Sequence, residues 1–124
     1  MGSEEEGRRR EAIAGFHCDV DAAISVIGGK WKLNIVWLLL ERTWRFAELR
    51  REIPNISHEM LTQSLRELEA DEVVLRTVYP QVPPKVEYSL TEFGRSFEPL
   101  ARTADDWGRR HAERLLRIRG DGNA

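Results

Sequence analysis

The chain has 124 residues, of which 41% are hydrophobic and 32% are charged. This length supports one domain with a single core, and this composition is typical of a folded protein and excludes a fully disordered one. The formal net charge of −2 lacks the basic excess that nucleic-acid-binding proteins usually show, so DNA binding would require the positive charges to be concentrated locally.

Neither a membrane-spanning segment nor an export signal is predicted. The longest apolar run, residues 35–40, is much shorter than a membrane-spanning helix. The N-terminal sequence MGSEEEGRRREAIAGF is acidic and then basic, without the apolar stretch of a signal peptide. One cysteine, Cys18, excludes an internal disulfide framework and agrees with a reducing compartment. We therefore expect a cytoplasmic protein that has no membrane partner.

Hydrophobic spacing predicts four helices in the first part of the chain. The second is apolar nearly all round, which predicts a central, buried position, and the other three have one apolar face. Gly28 ends the first helix, Pro54 ends the third, and Ser57 is a suitable N-cap for the fourth. The predicted helices cover residues 19–27, 30–41, 45–53 and 57–71.

A β-hairpin and a last helix are predicted for the rest of the chain. Residues 73–79 and 85–90 alternate and are rich in β-branched residues, and the proline-rich link between them provides the turn. Thr91 is predicted to cap one long helix that continues to about Ile118, with a kink or an early turn at Pro99.

The order of these elements indicates a mainly α (α+β) fold. Compact helices followed by a two-stranded wing form the winged helix-turn-helix plan, here with a long C-terminal helix for dimerisation. The helix-turn-helix pair would be residues 45–53 and 57–71, the second being the recognition helix. This single domain, residues 18–117, would lie between a charged N-terminal arm, residues 1–17, and a C-terminal tail, residues 118–124.

Three stretches of the chain resemble the HxlR family of bacterial winged-helix regulators, relatives of the MarR group. The stretches are GGKWKLNIVWLL, RFAELRREIPNISHEMLTQSLRELEAD and RTVYPQVPPKVEYSLTEFG. The resemblance runs from Cys18 to about His111. It implies a homodimeric transcription factor with its recognition helix in the major groove and its wing alongside. Glu72 stands where the family usually has glycine, which is expected to stiffen or reshape the exit from the recognition helix.

The outward face of the predicted recognition helix has the composition that base edges require. Glutamine can pair bidentately with adenine, arginine can pair with guanine, and a hydroxyl group serves either base. The acidic residues Glu67, Glu69 and Asp71 are expected to point away from the phosphates. An ordinary solvated helix face is the alternative. The residues predicted to contact bases, with the last reading a base or a phosphate, are Ser57, His58, Thr62, Gln63 and Arg66.

Basic residues around the recognition helix are predicted to hold phosphates and to make binding dependent on salt. Residues 30–90 contain nine basic and nine acidic residues, so the two signs must be separated in space for DNA to bind. The alternatives are ordinary surface charge and a proline turn that makes no contact with DNA. The predicted phosphate and wing contacts are Lys30, Lys32, Arg45, Arg50, Arg51, Arg76, Gln81 and Lys85.

The last predicted helix carries apolar residues at alternating spacings of four and three, as in a coiled-coil seam. One small domain has little left to cover such a face, so a second copy of the chain is the predicted partner. Packing within the same domain is the alternative for part of the seam. The predicted interface consists of Phe93, Phe97, Leu100, Ala104, Trp107 and His111, joined by Val20 and Ile24 of the first helix.

Cys18 raises the hypothesis of a thiol switch. The N-terminus of the first helix favours a thiolate, whereas the negative charges of Asp19 and Asp21 oppose it. Some members of the family that the chain resembles sense oxidants or electrophiles through a cysteine at this point of the motif. The alternative is a small, buried apolar residue. A related hypothesis places a small aromatic effector between the first and last helices, beside Trp31, Trp37 and Trp107.

Catalysis and metal binding are not predicted. His17, Cys18, His58 and His111 are scattered and lack the spacing of a metal site, and no phosphate-binding glycine loop or nucleophile motif is present. We therefore predict no enzyme activity, no metal and no cofactor. The predicted partners are double-stranded DNA with a near-palindromic operator and a second copy of the chain. The even charge balance leaves one further alternative, an interaction module that does not bind DNA.

Overall fold

The computed structural model describes residues 15–123, so residues 1–14 of the predicted arm lie outside the described residues. Six helices and a two-stranded sheet lie within this range. The elements are α1 (Asp19–Ile27), α2 (Lys32–Glu41), α3 (Phe46–Glu52), α4 (His58–Ala70), β1 (Val74–Tyr79), β2 (Lys85–Leu90), α5 (Glu92–Arg95) and α6 (Glu98–Asn123). The winged helix-turn-helix order of the sequence-based prediction is confirmed.

The final helix was predicted as one piece, and this prediction is wrong. Thr91 caps the short helix α5 by accepting a hydrogen bond from the Gly94 N–H at 2.9 Å. The chain breaks before α6, because Pro99 has no N–H with which to continue the previous helix and is tolerated only in a first helical turn. Helix α6 then runs to Asn123, so residues 118–123 extend this helix and are not a separate tail.

Helices α1 and α2 are joined by two glycines. Gly28 donates a hydrogen bond to the carbonyl oxygen of Ile24 at 2.6 Å, and Gly29 has a φ of +95°, which few other residues adopt. Helix α2 therefore begins at Lys32, two residues later than predicted. Among the described residues no single helix is long and apolar enough to cross a membrane; α1 and α2 reach that length and composition only together, with a bend of 75° between them.

The core lies between α2, α3, α4 and the sheet. The spacing of Leu61, Leu65 and Leu68 predicts the inner face of α4, and all three are almost fully buried. Met60 is part of the same apolar pattern but is exposed. Tyr88 and Leu90 of β2 close the core from the other side, as their alternation predicts. The largest fully buried side chains are Ile35, Val36, Leu39, Leu49, Leu61, Leu65, Leu68 and Val73.

The wing is an antiparallel pair in which Val74 lies opposite Leu90 and Tyr79 lies opposite Lys85. Its inner strand is also held by Trp44, which precedes α3. The N–H of Trp44 donates to the carbonyl oxygen of Tyr88 at 3.0 Å, and the N–H of Tyr88 donates to that of Trp44 at 2.8 Å. The indole N–H of Trp44 donates to the carbonyl oxygen of Leu38 at 2.8 Å. Trp44 thus fixes the wing to the central helix α2.

The exit from α4 is a tight turn with Glu72 in the left-handed region, at a φ of 62°. The N–H of Glu72 donates to the carbonyl oxygen of Glu69 at 3.0 Å, and that of Val73 donates to the carbonyl oxygen of Leu68 at 2.9 Å. The side chains of Leu68 and Val73 are both fully buried. This is the turn that commonly ends a helix at glycine. A side chain in this conformation costs about 1–2 kcal/mol, so Glu72 adopts the usual shape at an energetic cost.

Candidate nucleic-acid interface

The start of α4 is fixed by Ser57. Its hydroxyl oxygen accepts a hydrogen bond from the Met60 N–H at 3.1 Å, which satisfies one of the free N–H groups at the helix N-terminus. Ser57 is therefore occupied as a cap, and its predicted contact with a base remains a prediction. The other predicted base-contacting residues follow on the outer side of the helix, beginning with His58.

A groove of about 500 Å³ separates α4 from the wing. It brings together three of the predicted base-contacting residues, His58, Thr62 and Arg66, with Arg76 of strand β1. These residues come from separate parts of the sequence, and the packing of α4 on the hairpin places them along one concave surface. We call this surface the groove face. Its lining is Phe46, His58, Thr62, Leu65, Arg66, Glu69, Arg76, Val86 and Tyr88.

Glu69 also lines the groove face, although it was expected to point away from the phosphates. Glu69 lies three residues after Arg66 and seven residues after Thr62. Residues at these spacings lie on the same side of a helix. The groove face therefore carries one acidic residue together with Arg66 and Arg76.

The two helices of the helix-turn-helix meet at a second hollow, which lies between α3 and the start of α4. The rings of Phe46 and His58 are in contact, with centroids 4.8 Å apart. Arg50 and Arg51 line the same hollow and are exposed. The structure thus places two of the predicted phosphate contacts directly beside the N-terminal turn of the recognition helix.

Arg45 precedes α3 as its N-cap and is exposed. Its backbone N–H donates to Oε1 of Glu48 at 2.8 Å, and this hydrogen bond is the main reason why the pKa of Glu48 lies below its ordinary value. Oε1 of the same carboxylate also accepts from Arg42 at 3.3 Å. Arg42 in turn lies over the Trp44 ring, 3.6 Å from its centroid. Arg42 was not predicted as a site residue, because nothing in the local spacing reveals this contact.

Two of the predicted phosphate contacts, Lys32 on α2 and Lys85 on the wing, already have partners. Nζ of Lys32 lies 2.7 Å from Oε1 of Glu67, and only 14% of its side chain is exposed. Nζ of Lys85 lies 3.5 Å from Oε2 of Glu87 and 4.8 Å from the centre of the Tyr79 ring. Lys30 remains at the surface, above Trp31. Lys30 and Lys85 are free to turn toward DNA at little cost, whereas Lys32 is held by its neighbours.

The tip of the wing is fully open. Gln81 is exposed, and Val82 beside it is 99% exposed. Gln81 was predicted as a wing contact and Val82 was not, because a single valine in a proline-rich turn gives no periodic signal. The exposed apolar side chain of Val82 is available to enter a groove of the DNA next to Gln81 and Lys85.

Exposed apolar residues are found on α1, α5 and α6. Trp107 is 55% exposed and packs against His111, with ring centroids 4.6 Å apart. Phe97, in the break before α6, packs against the core of its own domain, so it fits the alternative of packing within the domain. The predicted residues that remain exposed are Val20, Ile24, Phe93, Leu100, Ala104 and Trp107. Their contact with a second copy of the chain stays a prediction, and we call these six residues the dimer face for the interface that they are predicted to form.

Two features of α6 beyond His111 were missed. Leu115 lies four residues after His111 and Ile118 three residues after Leu115, so apolar residues at helical spacings continue beyond His111, and Ile118 is exposed. The signal was therefore present in the sequence. Pairs of opposite charge four residues apart stabilise the rest of this helix. These pairs are Glu98 with Arg102, Asp105 with Arg109, Asp106 with Arg110, and Glu113 with Arg117.

Cys18 is the N-cap of α1 and is exposed, so the alternative of a buried structural cysteine is wrong. Its side chain makes no capping hydrogen bond. It lies two residues before Val20 of the dimer face. Over residues 15–123 there is no group of three histidine, cysteine or acidic side chains that could hold a metal ion.

The hydrophobic space predicted for an aromatic effector differs from the hollow that is observed. A hollow of about 340 Å³ lies between α2 and α6 rather than between the first and last helices. Of the three tryptophans that were expected beside it, Trp37 alone lines it. The hollow is partly polar, since Lys30, Asn34 and Asp105 contribute to its walls.

Comparison with known proteins settles the family. The family model described as HxlR-like helix-turn-helix matches residues 26–115. The chain belongs to the HxlR family. The HTH-type transcriptional regulator YdeP of Bacillus subtilis (strain 168) is 50% identical over 101 residues, which cover 82% of this chain and 79% of YdeP. This match confirms the resemblance seen in the sequence.

Solved structures of a redox regulator and of a MarR-family regulator have the same fold. The redox regulator HypR in its oxidised form is 53% identical, with a TM-score of 0.73, and the match covers 74% of this chain and 95% of HypR. A MarR-family transcriptional regulator from Enterococcus faecalis V583 is 37% identical, with a TM-score of 0.67, covering 79% of this chain and 89% of that protein. The chain is thus a transcriptional regulator of winged-helix, MarR-like fold and not an enzyme, as predicted, and its family implies DNA binding.

Proposed function

We propose that this HxlR protein binds double-stranded operator DNA as a homodimer in the cytoplasm, with α4 in the major groove and the wing beside it. The functional unit would be the predicted domain, residues 18–117, together with the rest of α6. The observation that carries this proposal is the groove face. Packing brings polar residues of α4 next to an arginine of the wing, which is the arrangement that a groove-reading protein needs.

Base reading would start from the residues of α4 that line the groove face, His58, Thr62 and Arg66. Thr62 and Arg66 are one helical turn apart and share one side of the helix, so both reach toward the same stretch of DNA. An arginine at this position pairs bidentately with guanine, and the threonine methyl group contacts thymine. His58 enters from the N-terminal end, where such helices approach the bases most closely.

Phosphate binding would come mainly from α3. Arg50 and Arg51 are exposed beside the start of α4, and Arg45 lies at the N-terminal end of the same helix. Arg76, Lys85, Gln81 and Lys30 would add contacts from the wing and from the junction before α2. Phosphate contacts of this kind fix the register of the protein on DNA and are weakened by salt.

Dimerisation would use the dimer face, aided by His111. Two-fold symmetry then places two copies of α4 in successive major grooves, about 34–36 Å apart. The corresponding operator is near-palindromic. Exposed aromatic and aliphatic side chains on two helices are the composition from which helical dimer interfaces are made.

Selection from a random library of duplexes tests the proposal. The wild-type protein should enrich a near-palindromic sequence, and its affinity for that sequence should fall steeply as salt is raised. Arg50→Ala should weaken binding to all sequences and reduce the salt dependence by about one ion. Arg117→Ala, on the far part of α6, is the matched control and should bind as the wild type does. Failure to enrich any sequence at low salt would favour an interaction module.

A response to oxidants is a second candidate function. It is supported by the exposed Cys18 next to the dimer face and by the similarity to HypR, a redox regulator. The chain has one cysteine, so any disulfide must join Cys18 to a second molecule. The Cys18 thiols of two subunits can join, losing two protons and two electrons to an oxidant, or Cys18 can exchange with a small disulfide and release one thiol. Oxidation should change operator affinity in the wild type and leave Cys18→Ser unaffected.

Binding of a small aromatic effector would be a second way to regulate operator affinity. The hollow between α2 and α6 borders the dimer face at Ala104, so an occupant there could alter how two subunits pack. A change in operator affinity with such a ligand that persists in Cys18→Ser would favour this form. A change that requires the thiol would favour the redox form.

A further inference from the structure

Three residues form a chain of polar contacts behind the recognition surface. Lys32 of α2 pairs with Glu67 of α4, with Nζ 2.7 Å from Oε1. The side-chain amide of Gln63, one turn earlier on α4, donates to Oε2 of the same carboxylate at 3.1 Å. Glu67 therefore has one oxygen on a lysine of the core helix and the other on a predicted base-contacting residue.

The ion pair decides which end of the Gln63 amide faces Glu67. The pKa of Glu67 lies below its ordinary value, first because Lys32 donates a hydrogen bond to it and then because Gln63 does. An ionised carboxylate can only accept hydrogen bonds, so it selects the amide nitrogen of Gln63 and rejects the amide oxygen. The amide oxygen and the second N–H of Gln63 remain available to another molecule.

A glutamine that is free to rotate can present its donor and acceptor in either order. Adenine offers an acceptor, N7, and a donor, N6–H, in a fixed order along the major groove. We propose that Lys32 and Glu67 are positioning residues that hold the Gln63 amide in one order and thereby set base preference without touching DNA. This inference rests on the proposed function, because it assigns a specificity role within the same recognition helix.

The position of Lys32 agrees with this role. Its side chain is 14% exposed, whereas that of Glu67 is 46% exposed, so the ammonium group approaches the carboxylate from the side of the domain. Moving Lys32 to a phosphate would leave Glu67 near DNA without its positive partner. The predicted phosphate contact of Lys32 is therefore less favourable than its role behind Gln63.

The test on DNA compares base preferences at single operator positions. Selection with the wild type gives the operator, and Gln63→Ala identifies the position that depends on Gln63. At that position Glu67→Gln should reduce the preference for the selected base by about fivefold or more, because the amide is no longer held in one order. Lys32→Met should reduce it less, because Glu67 keeps its charge and loses only the partner that positions it. Preferences at the positions read by Arg66 should not change.

Glu69→Gln is the matched control, since it removes the same negative charge from the same helix at a residue that is not bonded to Gln63. Both glutamate variants should strengthen binding to all sequences to a similar extent, because each removes a charge that repels phosphate. Only Glu67→Gln should alter the preference at the Gln63 position. The inference would be overturned if Glu67→Gln left the preference at that position unaltered, or if Glu69→Gln changed it equally. A Gln63→Ala variant with normal specificity would also overturn it.

A second measurement needs no DNA. The chain has two glutamines, Gln63 and Gln81, and Gln81 lies on the exposed tip of the wing. In the free protein the side-chain amide resonances of Gln63 should be displaced from those of Gln81, and Glu67→Ala or Lys32→Met should move them toward those of Gln81. Resonances of Gln63 that ignore both variants would disprove the contact. If the contact between Gln63 and Glu67 is observed but no operator is selected, the proposed function is wrong. The specificity role depends on that function and is then wrong as well.

Discussion

The groove face and the dimer face of this domain are built in different ways. On the groove side, polar side chains are held by neighbours in the same chain: Ser57 caps α4, Glu67 binds Gln63, and Trp44 holds the wing. On the dimer side, large apolar residues such as Val20 and Trp107 contact little within the domain. A domain can orient polar groups by itself, whereas an apolar surface needs a second body to cover it.

We expect the largest effect on stability from a substitution at Gly94 of α5, which packs against the exit from α4. A Cβ added at Gly94 would lie 2.2 Å from the backbone oxygen of Val73, which cannot move without disturbing the exit from α4. We expect Gly94→Ala to lower the free energy of unfolding by about 2–4 kcal/mol. Chemical denaturation measures this change.

Gly108 of α6 provides the control for Gly94. Nothing lies within 4 Å of a Cβ built there, and alanine is the better helix former by about 1 kcal/mol. Gly108→Ala should therefore raise stability slightly. Equal losses from both substitutions would mean that the contact between Gly94 and Val73 is not what matters.

The dimer face is tested by placing a charge on it. Trp107→Glu should weaken self-association by about 30-fold or more, because a buried charge replaces an aromatic anchor. Sedimentation at several protein concentrations measures the dissociation constant. Val82→Glu is the comparison, since this valine is even more exposed but lies on the wing tip, and its dimer should be unchanged. A dimer that tolerates Trp107→Glu would place the interface elsewhere.

Base reading on the groove face is tested at Arg66. If Arg66 pairs with guanine, Arg66→Ala should reduce operator affinity by roughly 1–3 kcal/mol and relax the preference at one position. If it holds a phosphate, affinity should fall for all sequences alike. Titration of the selected operator and of single-base variants separates the two outcomes, and unchanged affinity would exclude both.

The smallest expected effect concerns Glu72. Glycine at this position adopts the left-handed conformation without strain, so Glu72→Gly should raise the free energy of unfolding by about 1 kcal/mol. Glu72→Ala removes the same charge and keeps the Cβ, so it should give no comparable gain. Thermal unfolding of the two variants side by side distinguishes backbone strain from charge.

Elements were predictable from the sequence because their signals are local. The spacing of Leu61, Leu65 and Leu68 fixed the inner face of α4, and Ser57 marked its start within one residue. The alternation of Val86, Tyr88 and Leu90 fixed the inner face of β2. Each signal depends on neighbours a few residues apart, so one helix or strand is sufficient to reveal it.

What was missed depends on contacts between distant residues. Trp44 pairs with Tyr88 and Lys32 pairs with Glu67, and no spacing along the chain predicts either contact. The break before α6 was misjudged because Pro99 is compatible both with a kink and with a new first turn. The site residues follow the same division: their helix could be predicted, but which of them meet across the groove depends on tertiary packing.

The pairing of Trp44 with Tyr88 has a consequence for aggregation. A two-stranded sheet has two free edges, and each can recruit a strand from another molecule. On the β2 side, both backbone groups of Tyr88 are already bonded to Trp44. An incoming strand would have to displace a tryptophan that is 6% exposed and whose indole is bonded to α2. One residue thus protects the middle of that edge against association with unfolded or newly made chains.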